Sequence, residues 1–145
     1  MNEPASLRHT FKKTERLHHR TLVEGLFSRG KSIYAFPLRL VWRQWSAEEL
    51  DKVFCSHRPE GIDCLQMLVT IPKKKRRHAV DRVLMRRRVK EAYRLRHAAL
   101  RRELIASNPE GSLSLGFIWL DDKNADYATV EAAVEQLLEK LRHKL

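Results

Sequence analysis

Only two cysteines, Cys55 and Cys64, occur in 145 residues, so a disulfide framework is excluded. Cys55-x-His57 and Cys64 offer three soft donors, yet their spacing matches no common zinc site and a fourth ligand is missing. The adjacent pair His18 and His19 would point about 100° apart on a helix, poor geometry for a shared metal. Glycine and proline number five each, too few for a low-complexity or collagen-like chain, and no internal repeat is present. No apolar run approaches the roughly 18–20 residues that cross a bilayer, and Met1 to His19 carries charges of both signs without an apolar stretch, so neither a membrane span nor a secretory leader is expected. No Ser/His/Asp set, paired carboxylate cluster or phosphate-cradling glycine loop can be read from the chain. What remains is a soluble, cytoplasmic, single domain over 1–145, with 1–10 expected to be flexible and a 43% hydrophobic content able to build a core.

Negative charge is also scarce, but only locally. Between Lys73 and Arg102 fourteen of the 29 lysines and arginines face two acids, Asp81 and Glu91, a net charge of +12; the other fifteen cations meet sixteen acids and leave −1. Like charges packed this closely destabilise a compact state, and a solvated helix face normally interleaves both signs. The block therefore implies a polyanion. Arg82, Arg86, Lys90 and Arg94 recur every four residues and predict a cationic stripe, while Val80, Val83, Leu84, Ala92, Tyr93, Ala99 and Leu100 are the apolar set expected to dock on the body. Each like-charge pair at this spacing costs an isolated helix roughly 0.2–0.5 kcal/mol. Bound phosphates would reverse that sign, with a salt dependence of about −0.7 to −0.9 per phosphate. If Val83 faces the sheet, an aspartate there would bury an unpaired charge.

Thr14 as N-cap and Glu15 in the first turn, followed by Leu17, Leu22 or Val23, Leu26 and Phe27, predict a first helix that stops at Gly30. Ser32 to Pro37 is extended and suits a short edge strand, since Pro37 cannot donate to a ladder. Alternation over Leu38 to Arg43, Leu65 to Ile71 and Leu113 to Trp119 predicts three further strands, each with one buried face. Ser46 to Asp63 reads as a loop joining antiparallel neighbours, with a helical turn near Ala47–Leu50. The cationic helix is expected from about Ala79 to beyond Arg102, and a last helix capped by Asp126 or Thr129 carries Val130, Val134, Leu137, Leu138, Leu141 and Leu145. The order α-β-β-β-α-β-α predicts an α+β single-sheet sandwich.

Pro72-Lys73-Lys74-Lys75, then Ala79-Val80-Asp81-Arg82, then Arg86-Arg87-Arg88-Val89-Lys90-Glu91-Ala92-Tyr93-Arg94 resembles the signature of the protein subunit of bacterial ribonuclease P. Phe11-Lys12-Lys13-Thr14-Glu15-Arg16-Leu17 and Gly30-Lys31-Ser32 resemble that family's first helix and the turn after it. One departure stands out: the family signature usually has Arg-Asn-Arg where this chain has Arg82-Val83-Leu84. The resemblance implies a left-handed β-α-β crossover shared with a domain of certain ribosomal proteins. It implies two partners, the catalytic RNA of ribonuclease P and precursor tRNA, whose 5′ leader is removed hydrolytically. The RNA and its Mg2+ would carry the chemistry, the protein alone holding no metal. RNA binding would fall to Lys73, Lys74, Lys75, Arg82, Arg86, Arg87, Arg88, Lys90 and Arg94.

A leader held without sequence readout needs stacking platforms among cations. Phe11, Tyr34 and Phe36, near Lys12, Lys13, Arg16 and Arg39, are the candidates, and a core position is the competing reading for each aromatic. The alternative function is a structural rRNA-binding protein using the same helix. A DNA-binding protein is a third reading, opposed by the lack of zipper heptads and of a helix-turn-helix unit.

Overall fold

Periodicity of 2 in the strands and near 3.6 in the helices sets the element order in the computed structural model, which describes residues 11–145. A 3₁₀ turn, Lys13–Glu15, precedes α1 (Arg20–Arg29), β1 (Lys31–Ala35), β2 (Leu38–Trp45) and α2 (Ala47–Val53). Then follow β3 (Leu65–Thr70), α3 (Ala79–Arg96), α4 (Ala98–Ser107), β4 (Ser112–Trp119) and α5 (Tyr127–Lys144). The expected flexibility of 1–10 lies outside the described residues. No helix among these is long and apolar enough to cross a membrane.

The sheet runs β1-β2-β4-β3, with β3 parallel to β4 and the other pairs antiparallel. This corrects the expectation that β2 and β3 are neighbours, because β4 inserts between them. Its composition explains why: Leu113, Leu115, Phe117 and Trp119 are buried on one face, and Ser114 and Gly116 are buried on the other. A strand covered on both sides belongs in the middle of a sheet. One face, built with Leu38, Leu40, Trp42 and Met67, carries α3, α4 and α5; the other, with Val41 and Trp45, carries α1 and α2. The helix α1 approaches closely: a Cβ at Gly25 would lie 2.6 Å from the Trp45 ring, and one at Gly116 would lie 3.1 Å from Leu26. Ser46 and Glu49 close a reciprocal capping box on α2. Asp126 caps α5 by accepting from the Thr129 N–H at 2.9 Å, and β1 is the expected edge strand, with Pro37 placed in the turn after it.

Thr14 does not cap α1. It sits inside the 3₁₀ turn, and Arg16 and Leu17 run extended beside β3, where the Leu17 N–H donates to the Met67 carbonyl at 2.9 Å. Glu15 holds the segment there. Its buried carboxylate accepts from the Lys12 N–H and from Arg101 at 3.1 Å, and lies 3.3 Å from His97 Nε2. His97 in turn interrupts the long basic helix that the sequence predicted as continuous: its main-chain N–H still donates to the Tyr93 carbonyl at 3.0 Å, and its Nδ1 joins it there at 3.0 Å and reaches the Arg94 carbonyl at 3.1 Å. Arg101 extends the network to Asp63 at 2.6 Å.

The phase of α3 also differs from expectation. Met85, Val89, Ala92 and Tyr93 are the buried positions, whereas Val80, Val83 and Leu84 point to solvent. Val83 therefore does not face the sheet. Val83→Asp is expected to shift stability by no more than about 0.5 kcal/mol, while Met85→Ala costs about 2–5 kcal/mol; urea unfolding of both variants checks the phase.

Burial raises the Asp63 carboxyl, but hydrogen bonds and charge from Arg101, with help from Cys64 and Thr14, outweigh it and hold its pKa below the usual carboxylate value. A group depressed on folding stabilises above its unfolded pKa, and the contribution is lost as pH falls through the folded one. Asp63→Asn should cost about 1–3 kcal/mol at pH 7, and its urea midpoint should approach wild type below about pH 4. A gap that stays constant down to acid pH would mean that the ionised carboxylate is not its source.

Candidate nucleic-acid interface

The basic block divides into cations that hold the fold and cations that remain open. Arg76 pairs with Asp81 at 3.1 Å and donates to the Asp122 carbonyl. Arg82 donates to the carbonyls of Arg76 and Arg77 at 2.9 and 2.8 Å, folding the 73–78 loop back on the first turn of α3. Arg88 donates to the Ala125 carbonyl, Arg94 grips Glu91 at 2.7 Å, and Arg96 pairs with Glu131 at 3.0 Å on α5. Of the predicted stripe, then, the two ends are engaged and the centre is open: among the described residues no hydrogen bond or ion pair is made by the side chains of Arg86, Arg87 or Lys90. The same holds for Lys73, Lys74 and Lys75 in the loop, of which the first two are exposed.

The extended segment completes this centre. Burial lowers the pKa of Lys90, and the charges of Arg16 and Arg86 lower it further. Three cations from two elements thus share one field, and no carboxylate is among the groups that shift Lys90. Arg16, a leader candidate from the sequence, lies within the field of Lys90 on α3.

A second feature lies on the α1 face. The register aligns Tyr34, Arg39, Ile118 and Thr70 in one row across all four strands. Tyr34 is 57% exposed, and Arg39 lies over its ring at 5.8 Å while donating to Ser32 Oγ at 2.8 Å. Phe27, 46% exposed, flanks the neighbouring row at Gly116. The row ends at Thr70, two residues before the loop begins at Pro72. An aromatic strip therefore leads into the cationic loop. Phe36 is exposed beside it in the β1–β2 turn, and Lys12 and Lys13 are exposed at the 3₁₀ turn. Phe11 stands apart, packed edge-on against Tyr93 at 5.9 Å in the opposite layer, so its core reading holds.

Phe27, Ile118 and Thr70 were not read from the sequence as site residues. Phe27 fitted the apolar stripe of α1, and strand parity alone could have paired Ile118 with Arg39. The soft donors build no cluster: Cys55 and Cys64 are free thiols, burial pushes the Cys64 thiol up to about 11, and His57 Nδ1 bonds the Cys55 carbonyl. His18 and His19 precede α1 instead of lying on it, with ring centroids 4.4 Å apart.

A family model described as ribonuclease P matches residues 11–142. The chain belongs to the ribonuclease P protein family. Two relatives, each called ribonuclease P protein component, come from two strains of Porphyromonas gingivalis. One is 33% identical over 126 residues, covering 87% of this chain and 82% of the relative; the other is 33% identical over 138 residues, covering 95% and 89%. The family match runs through both the open cationic centre and the aromatic strip. Its α+β architecture, with a parallel β3-α3-α4-β4 crossover, agrees with the single mixed sheet of the family fold.

Arg86→Ala combined with Lys90→Ala is expected to flatten the salt dependence of RNA binding by about 1.4–1.8 in log–log slope, with unfolding unchanged. Filter binding from 50 to 300 mM salt measures it, and an unaltered slope would move the phosphate contacts elsewhere.

Proposed function

We propose that this chain is the protein subunit of ribonuclease P, binding the catalytic RNA and the 5′ leader of precursor tRNA and so assisting endonucleolytic removal of that leader. The observation that carries this reading is the unopposed cluster of Arg16 with Arg86 and Lys90 of the helix that follows the Lys73–Lys75 loop, together with the aromatic strip on the α1 face of the sheet. The cluster and loop suit the phosphates of a folded RNA. The strip suits a single strand: Tyr34 and Phe27 offer ring faces, Arg39 a cation, and Ile118 and Thr70 a floor with few edge-reading groups, so bases of any identity can be held. A purely structural rRNA-binding role would use the helix but leave the strip without a task.

In this reading the protein positions and the RNA cuts. Magnesium supplies the hydrolytic chemistry from sites on the RNA; among the described residues no three His, Cys, Asp or Glu side chains come together to hold a cation, and the surface facing the RNA is itself cationic. The protein's part is to neutralise phosphate repulsion as the two RNAs meet and to hold the leader in register with the cleavage site.

The purified chain is expected to leave precursor tRNA intact, and to raise cleavage by its RNA partner at low millimolar magnesium. Tyr34→Ala with Phe27→Ala should weaken binding of leader-bearing tRNA by about 1–3 kcal/mol per stacked base and leave mature tRNA unaffected. Equal losses for both substrates would remove the strip from the leader path.

A further inference from the structure

Val80, Val83 and Leu84 are 78%, 43% and 36% exposed. With Ala79 and Arg87 they line a shallow groove of about 380 Å³ on the first turns of α3. Contiguous apolar surface on an exposed helix face marks a contact site, and β-branched valines are not chosen there for helix propensity. The groove contains no carboxylate, hydroxyl or amide side chain. Arg87 lines it, and Arg77 and Arg86 adjoin its residues in sequence, none with a side-chain hydrogen bond or ion pair among the described residues.

That border selects the occupant. A second copy of this chain would bring its own Arg77, Arg86 and Arg87 against these three, and like charges juxtaposed across an interface are strongly unfavourable. An RNA brings phosphates for the arginines and, where a base is unpaired, a flat apolar face for the methyl groups; the planar Arg87 guanidinium can stack on the same base. Resting on the RNA-binding reading above, we infer that Val80, Val83, Leu84 and Arg87 form a seat for one unpaired nucleobase of the RNA whose phosphates the Arg86–Lys90 cluster holds. The seat recognises a base by its face. With no edge donors or acceptors apart from Arg87, it discriminates poorly among bases and favours purines through their larger surface.

The test uses the full chain and the RNA that copurifies with its tagged form. Combined Val80→Ser, Val83→Ser and Leu84→Ser should weaken binding roughly tenfold or more, leave the salt slope intact, and restore chemical reactivity to a nucleotide that the wild type protects. Val83→Ile with Leu84→Met, which keeps the apolar surface, should bind as wild type. Unchanged affinity and footprint in the serine variant would overturn the seat while leaving RNA binding standing. So would a free wild-type dimer, seen by sedimentation, that the serine variant dissociates. Failure of the wild type to bind the RNA at all would remove the RNA-binding reading first, and the seat with it.

Discussion

A buried carboxylate at Glu15 ties the start of the chain to the junction of α3 and α4. Isolated, an ionised group this deep would be prohibitively costly; flanked by Arg101 and His97 and capped by the Lys12 N–H, it becomes a fastening point. From it follow the extended course of Arg16 and Leu17 along β3, the interruption at His97, and the tether through Arg101 to Asp63 in the loop before β3. Removing one partner from such a network leaves the others buried and unpaired, so the elements it joins are held in a single arrangement. The functional consequence is at Arg16, the next residue, which is delivered to the side of Lys90 and Arg86.

Without that fastening the cationic centre would relax by moving apart. Packing opposes the repulsion: Met85, Val89, Ala92 and Tyr93 seat α3 on the sheet and α5, and Arg96 bridges to Glu131. The hydrophobic contribution, roughly 1.5–3 kcal/mol for each large side chain fully buried, exceeds the few tenths per like-charge pair on the surface. The protein can therefore keep an unfavourable field in place until an anion arrives.

Much of this was legible in the sequence. The alternation at Leu38–Trp42, Leu65–Ile71 and Leu113–Trp119 located three strands; the apolar stripe of α5 holds from Val130 to Leu141 while Leu145 lies exposed past its end, and of the two cap candidates Asp126 is the one that caps. Tyr34 and Arg39 were named and share a row. Three features could not be read because they are decided at a distance. Whether β4 lies between β2 and β3 depends on helices covering both its faces. Where α1 begins depends on Glu15 meeting residues more than eighty positions away. The phase of α3 was ambiguous for a different reason: Val80, Val83 and Leu84 define one apolar direction and Met85, Val89 and Ala92 nearly the opposite one. Only contact with α5 and Phe117 selects the second.

That two-sided helix changes how its charge should be counted. Arg82 and Arg88 spend their donors on main-chain carbonyls, Arg76 on a carboxylate and a carbonyl, and Arg96 on carboxylates, so they fix the loop and the α3–α5 contact. Those bonded only to carbonyls keep their full charge and still attract a polyanion within the screening distance of about 8 Å at physiological salt, but their geometry is already committed. In the proposed reading, direct phosphate contact falls to the uncommitted cations: Arg16, Arg86, Arg87, Lys90 and the loop lysines. The exposed apolar turn of α3 lies among these same residues. In the proposed reading one surface offers long-range attraction, short-range phosphate contacts and a base-sized apolar seat, a combination that a folded RNA with an unpaired nucleotide can use together.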